Sequence, residues 1–79
     1  MNKTMFLLEV VDHDTNRLFK RRIANSIDSV EDWINANAKR WAFVPITIDH
    51  DGYGNGTICI KDDPKCILYT FTATNIAMI

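Results

Sequence analysis

From residue 4 to residue 11 bulky apolar side chains alternate loosely with polar ones, which predicts a strand. Asp12-His13-Asp14-Thr15-Asn16 follows with turn chemistry, and residues 17–24 return to a strand-like pattern. Centring the hairpin between Asp14 and Thr15 pairs Val10 with Phe19, Phe6 with Ile23 and Glu9 with Lys20. Apolar pairs then share one face and opposite charges the other. Arg21 is the misfit on the apolar face.

The period then changes. Val30, Trp33, Ile34, Ala38 and Trp41 fall on one face of a 3.6-residue repeat, which predicts a helix over residues 29–41. Asp28 or Ser29 is placed to cap its first turn, and Asp28 with Glu31 has capping-box spacing. Lys39 and Arg40 close the helix with the charge its dipole favours.

Residues 43–48 read as a third strand with Val44, Ile46 and Ile48 on one face. Pro45 has no N–H to donate and suits an edge or a bulge. Gly52-Tyr53-Gly54-Asn55-Gly56 is a loop, residues 57–61 are a fourth strand, Asp62-Asp63-Pro64 is a turn, and residues 66–74 are a fifth strand. Centring that turn between Asp62 and Asp63 sets Ile58 opposite Ile67 and Cys59 opposite Cys66. Ile58, Ile60, Ile67, Tyr69 and Phe71 then form the face on which the helix lies. The opposite face carries Met5, Leu7, Val11, Leu18 and Leu68 among Thr47, Thr57, Thr70 and Thr72, a candidate contact surface for a partner or for a homodimer. The apolar end, Ile76-Ala77-Met78-Ile79, either prolongs the fifth strand or is covered by a partner. The expected fold is α+β: one helix on an antiparallel sheet of about five strands, in the order strand-strand-helix-strand-strand-strand.

Length and composition narrow this further. A chain of 79 residues supports a single domain over residues 1–79 with one small core, and 47% hydrophobic content is that of a globular protein. No apolar run approaches the ~18 residues of a membrane span. The N-terminal apolar run breaks at Glu9 without a small-residue cleavage site, so a cytoplasmic protein is expected. A net charge of −1 favours neither bulk attraction to nucleic acid nor mimicry of it. The two cysteines are too few for a disulfide framework and their spacing matches no zinc motif, so free thiols are expected.

Candidate chemistry is sparse. The triplet Asp-His-Asp occurs at residues 12–14 and 49–51 and contains metal-ligand types. If each connection reverses the chain, the two copies lie at opposite ends of the sheet and serve as turn residues. Asp51 to Asp62 echoes a calcium loop in its first, fifth, sixth and twelfth positions, but Tyr53 occupies the third and strands flank it, so a glycine-rich hairpin loop is the simpler reading. No Ser or Cys has a recognisable base nearby, and the glycines precede no helix and no P-loop lysine. These observations lead to a non-enzymatic protein without metal or cofactor. The basic residues stand out instead: Lys20, Arg21 and Arg22 on the second strand, and Lys39, Arg40 and Trp41 at the helix end. A cation cluster beside an aromatic suits phosphates or an acidic protein surface, although charged edge strands also serve to prevent aggregation.

The hairpin ending in Phe19-Lys20-Arg21-Arg22-Ile23-Ala24-Asn25-Ser26, the helix Val30-Glu31-Asp32-Trp33-Ile34-Asn35-Ala36 and three further strands resemble several small phage-encoded anti-CRISPR proteins that inhibit type I effector complexes. The resemblance lies in element order and length. It implies a binding protein that occupies a CRISPR-Cas effector in the host cytoplasm, with no residue role carried over. The alternative expectation is a small nucleic-acid-binding or regulatory domain using the same basic residues.

Overall fold

The computed structural model describes the backbone of residues 3–78 and the side chains of residues 5–76; Met1, Asn2 and Ile79 lie outside the described residues. Strand β1 (Lys3–Asp12) and strand β2 (Leu18–Ala24) form the first hairpin. Helix α1 (Ile27–Asn37) follows, continued by a 3-10 turn (Ala38–Arg40). Strands β3 (Ile46–His50), β4 (Gly56–Ile60) and β5 (Asp63–Met78) complete the chain. All pairings are antiparallel, in the order β2-β1-β5-β4-β3. This is the α+β fold that the periodicity implies, with β5 reaching to Met78 rather than ending at residue 74.

The helix begins earlier than expected. Ser26 is its N-cap, with extended backbone, and its Oγ accepts the Ser29 N–H at 3.1 Å. Ser26 therefore does the work expected of Asp28 or Ser29. The α-helical spacing stops at Asn37, whose Nδ2 donates to the Trp33 carbonyl at 2.8 Å, and the chain tightens into the 3-10 turn. Val30, Ile34 and Ala38 are fully buried, the i, i+4, i+8 stripe of one helical face. They pack with Leu8, Val10, Ile58 and Phe71, and Phe6, Trp33, Trp41, Ile46, Ile48 and Tyr69 ring this core as partly buried neighbours. Ile67 is outside it. Trp33 is a flank of the core, whereas Ile34 is its anchor.

Two registers differ from the expected ones, each because of an irregularity. The first hairpin obeys the expected centring only beside its turn, where Val11 faces Leu18; from there Val10 faces Lys20 and Phe6 faces Ala24. Phe19 is the extra residue of a bulge, and past a bulge the whole strand shifts by one position. Lys20 and Arg22, not Arg21 and Ile23, thus emerge on the helix side. The last hairpin closes with Ile60 opposite Asp63, then skips Pro64, Lys65 and Cys66 to set Cys59 opposite Ile67, and skips Leu68 to set Ile58 opposite Tyr69. Pro64 offers no N–H for a ladder bond, in keeping with this break. Cys59 and Cys66 are free thiols and not opposite partners.

Strand β5 is the spine. Its first part, Asp63 to Phe71, pairs with β4, and its second, Tyr69 to Met78, pairs with β1. The two hairpins are therefore displaced diagonally along it, and the fold is elongated, 45 × 22 × 20 Å. Gly56 faces Phe71 across β4 and β5; a Cβ there would come within 2.6 Å of the ring tip and collide with the Asp49 carbonyl. The missing side chain is what lets Phe71 lie flat across β4. No helix among the described residues is long and apolar enough to cross a membrane.

Candidate functional site: a cation-aromatic edge

The bulge at Phe19 carries its ring under the 3-10 turn. Phe19 stacks on Tyr69 at 4.8 Å and meets Trp41 edge-on at 5.4 Å, and Trp41 in turn lies 5.5 Å from Trp33. Tyr69 fixes the end of the helical segment by donating its hydroxyl to the Trp41 carbonyl at 3.3 Å. Partial burial, with the nearby Asp12 carboxylate adding to it, holds the Tyr69 phenol above its ordinary value of 10.0, so it stays a donor. The result is a continuous aromatic seam between the sheet edge and the helix.

Two cations cap this seam. Lys20 Nζ sits 5.2 Å from the Phe19 ring centre, and the Arg22 guanidinium carbon sits 5.4 Å from that of Trp33. Both side chains are exposed, and both face the ring quadrupole at a favourable distance. A shallow groove of about 330 Å³ runs beside the Arg22–Trp33 contact, lined by these two residues with Ala24, Asn25 and Ser29. A second, of about 300 Å³, opens between the first turn and the segment after the helix, where Asp12, Asp14, Trp41, Val44 and the fully exposed Phe43 meet.

The expected contact set of Lys20, Arg21, Arg22, Lys39, Arg40 and Trp41 is only partly brought together. Lys20, Arg22 and Trp41 share the seam. Arg21 lies on the other sheet face, where it pairs with Glu9 at 3.0 Å. Lys39 stands on the far side of the helix, over Ile46 and Ile48 of β3. Arg40 is exposed in the 3-10 turn. Phe19, Trp33 and Tyr69 belong to the site although their periodicity marks them as core residues. The adjacency of Phe19 and Lys20 was the available signal; the meeting of Arg22 with Trp33 had none.

The other candidate ligand groups are used internally. Asp51 Oδ1 accepts the N–H groups of Tyr53 at 2.7 Å and Asn55 at 3.1 Å, while its Oδ2 accepts the Asn55 amide at 3.1 Å. These bonds, led by that of Tyr53, hold the Asp51 carboxyl below the ordinary 3.8. The calcium-like sequence is thus an Asx-type turn. Among the described residues no three His, Cys, Asp or Glu side chains converge as metal ligands. His13 is exposed in the first turn. His50 is half-buried on β3, with Nδ1 3.7 Å from Glu31 Oε1 and its ring against Phe71. The remaining sheet face exposes Leu18 and Ile23 and is covered by no other layer of described residues.

Scans against protein-family models, curated proteins and solved structures find no match to this chain.

Proposed function

We propose that this protein is a non-enzymatic binding protein that acts by stoichiometric occupancy, and that the edge formed by Lys20, Arg22, Phe19 and Trp33 is its contact surface. The observation that carries this reading is the pair of cation-aromatic contacts, at 5.2 Å and 5.4 Å, on an exposed edge strand. A cation lying on an aromatic ring is partly ordered before it meets a partner, which lowers the entropy lost on binding. Arg and aromatic side chains are also those that dominate protein interfaces energetically. The fitting target is an acidic or phosphate-bearing surface of a protein assembly. The element order shared with small anti-CRISPR proteins points to a type I effector complex as that assembly.

The test is inhibition of target cleavage or target binding by a reconstituted type I effector, titrated with the protein. Occupancy predicts a break at a fixed molar ratio, and the Lys20→Glu, Arg22→Glu double variant abolishes it while its circular dichroism is unchanged. Repeated turnover by substoichiometric protein would overturn the reading.

The same seam favours one second reading. Cations beside rings also suit single-stranded nucleic acid, where bases stack and phosphates pair. That reading predicts binding to labelled single strands that weakens steeply with salt.

A further inference from the structure

The sheet ends on one side at β3, which pairs with β4 alone. Two bonds fix which of its backbone groups that pairing uses. The Lys61 N–H donates to the Pro45 carbonyl at 2.9 Å, and the Asp51 N–H donates to the Asn55 carbonyl at 3.0 Å, so Pro45 and Asp51 both turn toward the β4 side. In an antiparallel ladder successive residues point their N–H and C=O to alternate sides. Thr47 and Asp49 therefore bond to Cys59 and Thr57. Ile46, Ile48 and His50 aim both backbone groups outward, where no described residue bonds to them. Pro45 belongs to the set that faces β4, so its missing N–H does nothing to blunt the outward edge.

This edge runs beside a groove. Glu31, Asn35 and Lys39 recur at every fourth position and lie on the β3 side of the helical segment. Glu31 Oε1 is 3.7 Å from His50 Nδ1, while Asn35 and Lys39 line a hollow of about 340 Å³ with Ile46, Thr47 and Ile48. A second hollow, of about 330 Å³, shares Lys39 and Ile46 at the start of the strand and adds Val44, Pro45 and Lys61. No carboxylate lines either hollow, and neither lysine has an ion-pair partner among the described residues. The groove is thus polarised, with two ammonium groups at its Ile46 end and Glu31 at its His50 end.

We propose that this groove binds the extended C-terminal segment of a partner protein, added to β3 as an antiparallel strand with its terminal carboxylate beside Lys39 and Lys61. Strand addition supplies the bonds that Ile46, Ile48 and His50 lack. The charges set the orientation. β3 runs from the lysines toward His50, so an antiparallel strand ends at the lysines, whereas a parallel one begins there. A free carboxylate is attracted by the ammonium pair, and a free amine is repelled. The register sets the sequence preference, because residues directly opposite share a sheet face. Peptide side chains opposite Ile46 and Ile48 point to the helix side and are apolar; the one opposite Thr47 points to the uncovered face and is polar. Lys39, which the aromatic seam leaves out, gains a role here. The Lys20-Arg22 seam lies at the opposite edge of the sheet, so one copy can engage both partners.

Fluorescence polarisation with hexapeptides labelled at the N-terminus tests this. The set carries valine, leucine or phenylalanine at alternate positions counted back from a free C-terminal residue, with threonine between. At least one member is expected to bind saturably at or below millimolar concentration. Replacing its terminal carboxylate by an amide is expected to weaken binding about tenfold or more, and so is Lys39→Glu with Lys61→Glu. Both lysines are exposed, so the variant keeps the wild-type circular dichroism. Lys20→Glu with Arg22→Glu is expected to leave peptide binding unchanged. Amide hydrogen exchange reads the pairing itself. The Ile46, Ile48 and His50 N–H groups are expected to exchange faster than those of Thr47 and Asp49 in the free protein, and to become protected in the complex. Absence of saturable binding by every member overturns the proposal. So does an amide that binds as tightly as the acid, or a complex in which those three N–H groups gain no protection.

Discussion

Arg22 of β2 lies over Trp33 of the helix, its guanidinium carbon 5.4 Å from the ring centre, and so ties the edge strand to the helical layer. The contact exists because the Phe19 bulge turns Arg22 to the helix side, opposite the buried Leu8. Cation-aromatic contacts at exposed sites contribute about 0.5–1 kcal/mol. Arg22→Ala is therefore expected to lower the unfolding free energy by about that amount. It should also alter the tryptophan fluorescence of the native state. Arg21→Ala removes an exposed ion pair with Glu9 and is expected to shift the urea midpoint less.

Ile34, not Trp33, is the helix residue that the core closes on. It is fully buried between Val30 and Ala38. Ile34→Ala is expected to cost ~2–5 kcal/mol through lost transfer energy and a residual cavity. The exposed neighbour change Asn35→Ala should stay within ~0.5 kcal/mol. Chemical denaturation of the two variants side by side checks both; equal midpoints would mean the helix is rotated.

Asp51 gives the 51–55 loop an acid-sensitive hold. Its carboxyl is held below 3.8, chiefly by the Tyr53 N–H, so the charged form is favoured in the folded state. The contribution is present above the ordinary carboxylate value and is lost as pH falls through the lower folded value. Asp51→Asn retains an acceptor but no charge. The wild type is expected to melt higher than this variant near neutral pH, with the gap closing as pH drops below 3.8. Melting curves across the acid range measure it; a gap that stays constant would mean that charge is irrelevant to the loop.

The two thiols should react unequally. Cys59 is 2% exposed, whereas Cys66 is half-buried in the irregular start of β5. Only exposed thiolate is available to a thiol reagent. Native protein is expected to titrate Cys66 first and to yield Cys59 only on unfolding. Mass spectrometry after alkylation identifies the modified residue, and early labelling of Cys59 would show that the β4–β5 hairpin opens readily.

Much of the architecture was legible in the chain because it rests on local periodicity. The i, i+4, i+8 run of Val30, Ile34 and Ala38 can bury itself only as a helix, and alternation in β1, β3 and β4 specifies strands with one apolar face. The turn at Asp12 was equally legible: its Oδ1 accepts the Asp14 and Thr15 N–H groups, and Asn16 takes the left-handed conformation at φ 57° that its side chain tolerates. What only the tertiary structure decided is which side each strand residue faces after an irregularity. The bulge at Phe19 is favoured because it lets the ring stack on Tyr69 and Trp41, residues distant in sequence, and no local pattern encodes that gain. One extra residue there exchanges Arg21 for Arg22 on the helix side. The skipped residues after Asp63 likewise separate Cys59 from the position opposite Cys66. The pairing of β5 with β4 along one half and β1 along the other was also outside local reach. Side-chain period fixes a strand's faces, while its neighbours are chosen by long-range packing.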